Sequence, residues 1–172
     1  MSGSPAAEVA RPVLIGWKEF LDLPELGLFR LKCKVDTGAR TSTLHCDALT
    51  LLEELSGGAA LAEIAVSPDR RSPGLRVTSL VKVLRRIAVT DSGGHPELRP
   101  LIETVLVLGP VRKRILLTLA DRRGMLFRMI LGRKAVEGSF QIDPAKKYQL
   151  RRWHRRGALS GSETSPPETS PG

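Results

Sequence analysis

Phe29-Arg30-Leu31-Lys32-Cys33-Lys34-Val35-Asp36-Thr37-Gly38-Ala39 is the stretch whose reading decides the fold. Phe29, Leu31, Cys33 and Val35 alternate with Arg30, Lys32 and Lys34, the period of a half-buried strand. The strand delivers Asp36 to its C-terminal end. Gly38 then permits a tight turn that a side chain would obstruct, and Thr37 sets a hydroxyl beside the carboxylate. Taken alone, an Asp before Thr-Gly suits a turn cap. The tetrapeptide Asp-Thr-Gly-Ala is moderately specific, turning up by chance in roughly one of several hundred chains of this length.

Outward from this stretch the period of two recurs. Residues 61–66, 81–89, 101–108 and 114–120 read as strands, and Gly109-Pro110 joins the last two as a hairpin. Asp91-Ser92-Gly93-Gly94 lies between two strands and reads as another turn or hairpin tip. Helix is scarce. Residues 48–55 are expected to make about two turns, and 133–137 one short turn stopped by Gly138. Short strands with close turn signals predict a mainly β chain, a small barrel or sandwich. Residues 1–12 and 157–172 are built from Gly, Ser, Pro, Thr and Glu and read as disordered tails. The domain is expected over 13–150. A basic cluster, Arg151-Arg152-Trp153-His154-Arg155-Arg156, precedes the C-terminal tail.

The whole chain has 172 residues, 41% hydrophobic and 26% charged, which suits one globular domain. No apolar run approaches a membrane span, and the N-terminus has no apolar signal core. With two cysteines, Cys33 and Cys46, a disulfide scaffold and a four-thiolate zinc site are excluded by count. The expected location is the cytoplasm. Lys plus Arg is 27 and Asp plus Glu 18, a formal charge of +9. Residues 13–150 alone hold 22 basic and 15 acidic groups, so the core itself is basic. Such a surface suits acidic peptides or nucleic acid. Aromatic content of 4% leaves little for stacking on bases.

About ninety residues after Asp36 comes Met129-Ile130-Leu131-Gly132-Arg133, an apolar pair followed by glycine. Its pairing with Asp36-Thr37-Gly38-Ala39 resembles aspartic peptidases of the retroviral type. Ile15-Gly16-Trp17-Lys18-Glu19, Leu23-Pro24-Glu25-Leu26-Gly27, Lys34 to Ser42, Leu117 to Arg122 and Phe140-Gln141-Ile142-Asp143-Pro144 narrow the resemblance. They are similar to the retropepsin-like RimB-type family, which also carries the label ATP-dependent zinc protease. The resemblance covers about residues 13–150. Three positions depart from it: Arg128 stands where Pro is expected, Cys46 where Ala is expected, and Ser139 where a basic residue is expected.

The resemblance implies a small closed retropepsin-like barrel with one short helix, pairing as a homodimer. It implies Asp36, Thr37 and Gly38 as the catalytic loop. Ala39 and Arg40, with Gly93 and Gly94 at the tip of a flap over 89–100, would touch substrate. Hydrolysis of a peptide by an aspartic mechanism needs two carboxylates. The chain has a single Asp-Thr-Gly, so the second Asp36 must come from a second copy. The family's association with ATP-grasp ligases that add glutamates to a ribosomal protein makes acidic peptides the expected substrate. Neither cofactor in the family label is expected. The Gly-rich ATP loop is missing, and His45, His95, His154, Cys33 and Cys46 lack metal-ligand spacing. A set of Cys33, His45 and Asp36 is the one conceivable zinc site. Without a metal, Cys33 reads as a core residue and His45 as a structural or cleft-edge side chain. Two other readings stay open: a zinc-dependent peptidase, and a non-catalytic basic module holding an acidic protein tail or ribosomal RNA.

Overall fold

The computed structural model describes residues 11–72, 74–90 and 94–153. Both expected tails, apart from residues 11 and 12, lie outside the described residues. So do His154, Arg155 and Arg156 of the basic cluster.

Among the described residues eleven strands form in chain order: β1 (Val13–Gly16), β2 (Lys18–Leu23), β3 (Leu28–Asp36), β4 (Ser42–His45), β5 (Ala48–Glu54), β6 (Ala60–Val66), β7 (Val77–Thr90), β8 (Pro96–Leu108), β9 (Val111–Ala120), β10 (Met129–Gly132) and β11 (Phe140–Asp143). A single-turn helix, α1 (Arg133–Val136), follows β10 directly. The order β2-β3-β10-β4-β9-β8 returns on itself through the pair Asp22 and Val107, closing a six-strand barrel. Closure removes the open edges that such short strands would otherwise present. From β8 the sheet continues outward through β7, β6 and β5, while β1 and β11 pair in parallel as a separate ribbon. Among the described residues no helix is long and apolar enough to cross a membrane.

The barrel interior is filled by alternate residues of these strands. Leu21, Leu31, Cys33, Leu44, Leu106, Leu117, Met129 and Leu131 are at most 1% exposed. Each fully buried Leu or Met contributes about 1.5–3 kcal/mol of transfer free energy.

All five expected strands form, and β7 and β8 run longer than their apolar cores. The Gly109-Pro110 hairpin also forms, with Leu108 opposite Val111. Two local expectations need correction. Residues 48–55 are not helical: 48–54 form β5, paired along β6 from Ala48 opposite Ala65 to Glu54 opposite Ala60. β5 is an edge strand with nearly every residue exposed or half-exposed, so burial imposed no period-two pattern on it. A register shift between Leu51 and Glu53 breaks what alternation remains. In β3, Leu31, Cys33 and Val35 face inward as expected, but Phe29 is 63% exposed and Leu28 is buried instead. Arg30 causes the change of phase, with φ at 53°. Its amide N–H donates to Asp22 Oδ1 at 2.7 Å, which offsets the cost of that left-handed residue.

Candidate active site

The barrel carries Asp36 to its rim by a crossing of strands. β10 lies between β3 and β4, parallel to the first and antiparallel to the second, with Gly132 level with Asp36. The loop 37–41 must therefore arch over the end of β10. That arch rests on Gly132, where a Cβ would stand 2.7 Å from the Thr41 carbonyl carbon and 3.0 Å from the Ala39 oxygen. No other residue type fits without moving the loop.

Hydrogen bonds tie loop and segment together. The Gly132 N–H donates to Ser42 Oγ at 3.0 Å, Arg133 N–H to the Ala39 oxygen at 2.8 Å, and Lys134 N–H to the Arg40 oxygen at 3.1 Å. Arg133 Nη1 reaches back to the Thr37 carbonyl at 2.7 Å and the Gly38 carbonyl at 3.3 Å. Within the loop, Gly38 N–H donates to Asp36 Oδ1 at 3.1 Å and Ala39 N–H to the Asp36 carbonyl at 3.2 Å. A Cβ on Gly38 would approach that same Oδ1 at 3.2 Å, so glycine keeps the turn close to the carboxylate. The second oxygen, Oδ2, meets no donor among the described residues.

Asp36 faces a cleft of about 1230 Å³. Gly38, Ala39 and Arg40 line it too, whereas Thr37 is exposed beside it. Ile87, Ala88, Val89 and Thr90 of β7 and Arg99 of β8, from the hairpin expected as a flap, line the same cleft. Gly94 is not part of that lining. Its φ is +84°, with open space around it, as suits a hairpin tip. Gly93 lies outside the described residues.

The cleft's charge is lopsided. Among the described residues Asp36 is the one acidic side chain lining it, against Lys34, Arg40, Arg85, Arg99, Arg114, Arg122 and Lys134. Three of these are paired with carboxylates: Arg114 with Glu25 and Glu103 at 3.1 and 2.8 Å, Lys134 with Glu137 at 2.8 Å, and Arg99 with Glu97 at 2.7 Å. Arg122 is half-buried. Burial lowers its pKa, Arg99 lowers it further, and the attraction of Asp36 opposes both.

His45 holds Arg122 in place. It is fully buried; its Nδ1 accepts the Arg122 N–H at 2.9 Å and its Nε2 lies 3.0 Å from Asp47 Oδ1. An N–H can only donate, so Nδ1 is the acceptor and Nε2 carries the proton toward Asp47. Burial pushes the Asp47 carboxyl up, but bonds from the Ser67 hydroxyl, His45 and the Ser67 N–H outweigh it and hold the pKa at about 2.

These contacts also decide the metal question for the residues present. Among the described residues, no three His, Cys, Asp or Glu side chains converge as a metal set. Both ring nitrogens of His45 are engaged. Cys33 sits in the barrel core, where burial pushes its thiol up to about 12. The Cys46 thiol donates to the Ala48 carbonyl at 3.0 Å. The conceivable Cys33, His45 and Asp36 set does not fit a zinc ion.

Sequence reasoning missed three contributors: Arg133, Arg122 and Asp47. Arg133 stood inside the motifs that carried the resemblance, without a role. Arg122 closed the Leu-Thr-Leu-Ala-Asp-Arg motif, which was the available signal. Asp47 gave none, since its partners are set by folding.

A closed six-strand barrel with an Asp-Thr-Gly loop seated on an apolar-apolar-Gly strand defines the retropepsin-like class. The sequence profile of the RimB-like family, described as retropepsin-like aspartic endopeptidase RimB, matches residues 14–152. The chain belongs to that family. It is 34% identical over 142 residues to a probable alpha-L-glutamate ligase of Parasynechococcus marenigrum, covering 83% of this chain and 30% of the relative. A protein of the same description from Desulfotalea psychrophila is 36% identical over 137 residues, 80% of this chain and 29% of the relative. The chain thus spans under a third of the length of these curated relatives. A crystal structure of a Legionella pneumophila protein of unknown function shares the fold with a TM-score of 0.66 at 22% identity, covering 80% of this chain and 98% of that one.

Proposed function

We propose that this chain is an aspartic-type peptidase, active as a homodimer, that cuts acidic or glutamate-rich peptides. The observation that supports it most is the Asp36-Thr37-Gly38 loop, which presents a carboxylate with one uncommitted oxygen to a basic cleft. Two such loops meeting on a two-fold axis would bring two Asp36 carboxylates together, and like charges at that separation share one proton. The ionised partner takes a proton from water, and the protonated partner gives its own to the carbonyl oxygen. Exposed Thr37 suits a brace between the two loops. Binding of a peptide under the β7–β8 hairpin excludes water from the reacting carbonyl. The excess of Lys and Arg around Asp36 favours a substrate that brings carboxylates of its own. The relatives' description as probable glutamate ligases agrees with that substrate class.

The test is hydrolysis of glutamate-rich and neutral peptides by purified protein over roughly pH 4 to 8. Asp36→Asn and a chelator series run alongside. Cleavage with a bell-shaped pH profile, lost in Asp36→Asn and kept in chelator, is the expected result. Activity per molecule should fall on dilution, and added Asp36→Asn protein should poison the wild type by forming mixed dimers. Binding of acidic peptides without any cleavage would make the protein a basic binding module instead.

A further inference from the structure

Among the described residues Arg128 is the one Lys or Arg that is buried, at 7% exposed. Its Nε and Nη1 are enclosed and meet no acceptor. A guanidinium cannot shed its charge, so burying it without a partner is a standing cost to the fold. A ligand that brings acceptor oxygens removes that cost.

Arg128 lies beside the Asp36 cleft. It stands one residue before β10, and its carbonyl accepts the His45 N–H at 2.7 Å, so the pairing of β10 with β4 extends to it. Met129 and Leu131 belong to the barrel core, while Ile130 lines the cleft. By strand alternation Arg128 shares the side of Ile130. The parallel register with β3, continued one step, sets Lys32 level with Arg128, two residues before Lys34 of the cleft lining. The segment that leads from β9 to Arg128 supplies Arg122 and Met125 to the same lining. Arg122 Nε donates to the Phe127 carbonyl at 3.2 Å, directly before Arg128. Among the described residues no ion pair engages Lys32 or Arg122. Gly132 is level with Asp36, and Arg128 comes four residues earlier, about 13 Å along the strand.

We propose that Arg128 is the floor of a carboxylate subsite at one end of the Asp36 cleft, with Arg122 and Lys32 beside it. The proposal rests on the acidic-peptide reading above. It adds the residue that takes the acid and places it roughly three or four extended residues from the bond that is cut. A planar guanidinium bonds both oxygens of one carboxylate at once. Exposed cations attract any acid and lose their pull in salt, whereas an enclosed guanidinium demands the carboxylate's shape and is screened far less. Two groups bring that chemistry: a glutamate side chain and the C-terminal carboxylate of the peptide.

Binding to the full-length Asp36→Asn protein separates the subsite from the chemistry. The probes are N-terminally fluorescent hexaglutamate and hexaglutamine, each with a free or an amidated C-terminus, read by anisotropy. Adding Arg128→Met should weaken hexaglutamate binding roughly tenfold and leave amidated hexaglutamine unchanged. A loss confined to the glutamate peptides assigns the side-chain carboxylate. A loss shared by free-acid hexaglutamine and absent from its amide assigns the chain end. Arg128→Lys keeps the charge without the fork and should recover part of the affinity; it also carries the test should Arg128→Met fold poorly. Hexaglutamate should raise the Tm of the parent more than that of the Arg128→Met protein. Without peptide that variant should melt no lower than its parent, so lost binding is not lost fold. Lys82→Met, an exposed cation outside the cleft, measures the general charge effect, and the Arg128 effect should persist in salt that abolishes the Lys82 effect. Hexaglutamate binding that is absent, indifferent to Arg128→Met, or weakened no more than by Lys82→Met would each overturn the subsite. Wild-type protein that cuts no peptide while Arg128-dependent binding persists would instead overturn the peptidase reading alone.

Discussion

Glu19 and Asp36 are both carboxylates on adjacent strands of one barrel, and the structure treats them in opposite ways. Glu19, on β2, is fully buried. Its Oε1 accepts N–H groups of Gly16 at 2.8 Å and Gln149 at 2.7 Å, and its Oε2 that of Leu150 at 3.3 Å. It fastens residues 149–150 to the start of the barrel. Gly16 makes the same approach possible, since a Cβ there would strike the Lys146 carbonyl. Asp36, at the end of β3, accepts one N–H and turns its other oxygen to the cleft. A carboxylate surrounded by donors is a structural bolt. One supplied with a single donor keeps lone pairs for a water or a proton. The number of donors, rather than charge or residue type, separates the two roles.

The largest effect expected is on Asp36. Asp36→Asn retains Oδ1 for the Gly38 N–H and removes the ionisable group. Activity should drop roughly 10³-fold or more, while stability stays within about 0.5 kcal/mol. Peptide assays and thermal melts on one preparation check both halves; a large fall in Tm would make Asp36 a bolt as well. Glu19→Ala should do the reverse. It strands three buried N–H donors, for a loss of about 3–5 kcal/mol. Glu19→Gln keeps one acceptor oxygen and should lose about half as much. Denaturant titration measures the loss, and activity per folded molecule should be unchanged. If Glu19→Gln were fully stable yet inactive, the division of roles would fail.

Asp47 extends the comparison to pH. Its folded pKa of about 2 lies below the ordinary 3.8. A depressed pKa means the folded state favours the ionised form, so the contribution is complete above about pH 4 and is lost as pH falls toward 2. The expected loss is on the order of 2 kcal/mol. Wild-type stability should therefore drop more steeply over that range than that of Asp47→Asn. Parallel acid limbs would show that the Ser67 and His45 bonds contribute nothing to the ionised form.

What was legible in the sequence was local. The strand leading to Asp36, the Gly38 turn, the Gly109-Pro110 hairpin and the single turn of α1 are each set by residues within a few positions. The family motifs then supplied the barrel and marked Gly132. What was not legible depends on distant partners. Glu19 gains its meaning from Gln149, 130 residues away, and His45 from the backbone of Arg122, 77 residues away. The parallel pairs β3–β10 and β4–β9 leave no turn signal between their members. Phe29 misled because Arg30 reverses the phase through a bond to Asp22, which strand period cannot show.

Arg128 completes the comparison as a buried charge built like neither carboxylate. It is 7% exposed, and its Nε and Nη1 are enclosed with no partner among the described residues. Glu19 meets three donors; Arg128 offers donors that meet no acceptor. It also stands where the family resemblance leads one to expect Pro, so the barrel does not call for a cation at this place. Burying unpaired donors costs free energy that an apolar side chain of similar length avoids. Met fills much of the arginine stem's volume and removes the guanidinium. Arg128→Met is therefore expected to stabilise the fold by about 1 kcal/mol, raising Tm by roughly 2–4 °C for a chain of this size. His45 should be undisturbed, because its N–H bonds the Arg128 backbone oxygen at 2.7 Å and not the side chain. A lower Tm would mean that the guanidinium is satisfied in solution, and that buried charge in this barrel is partnered without exception.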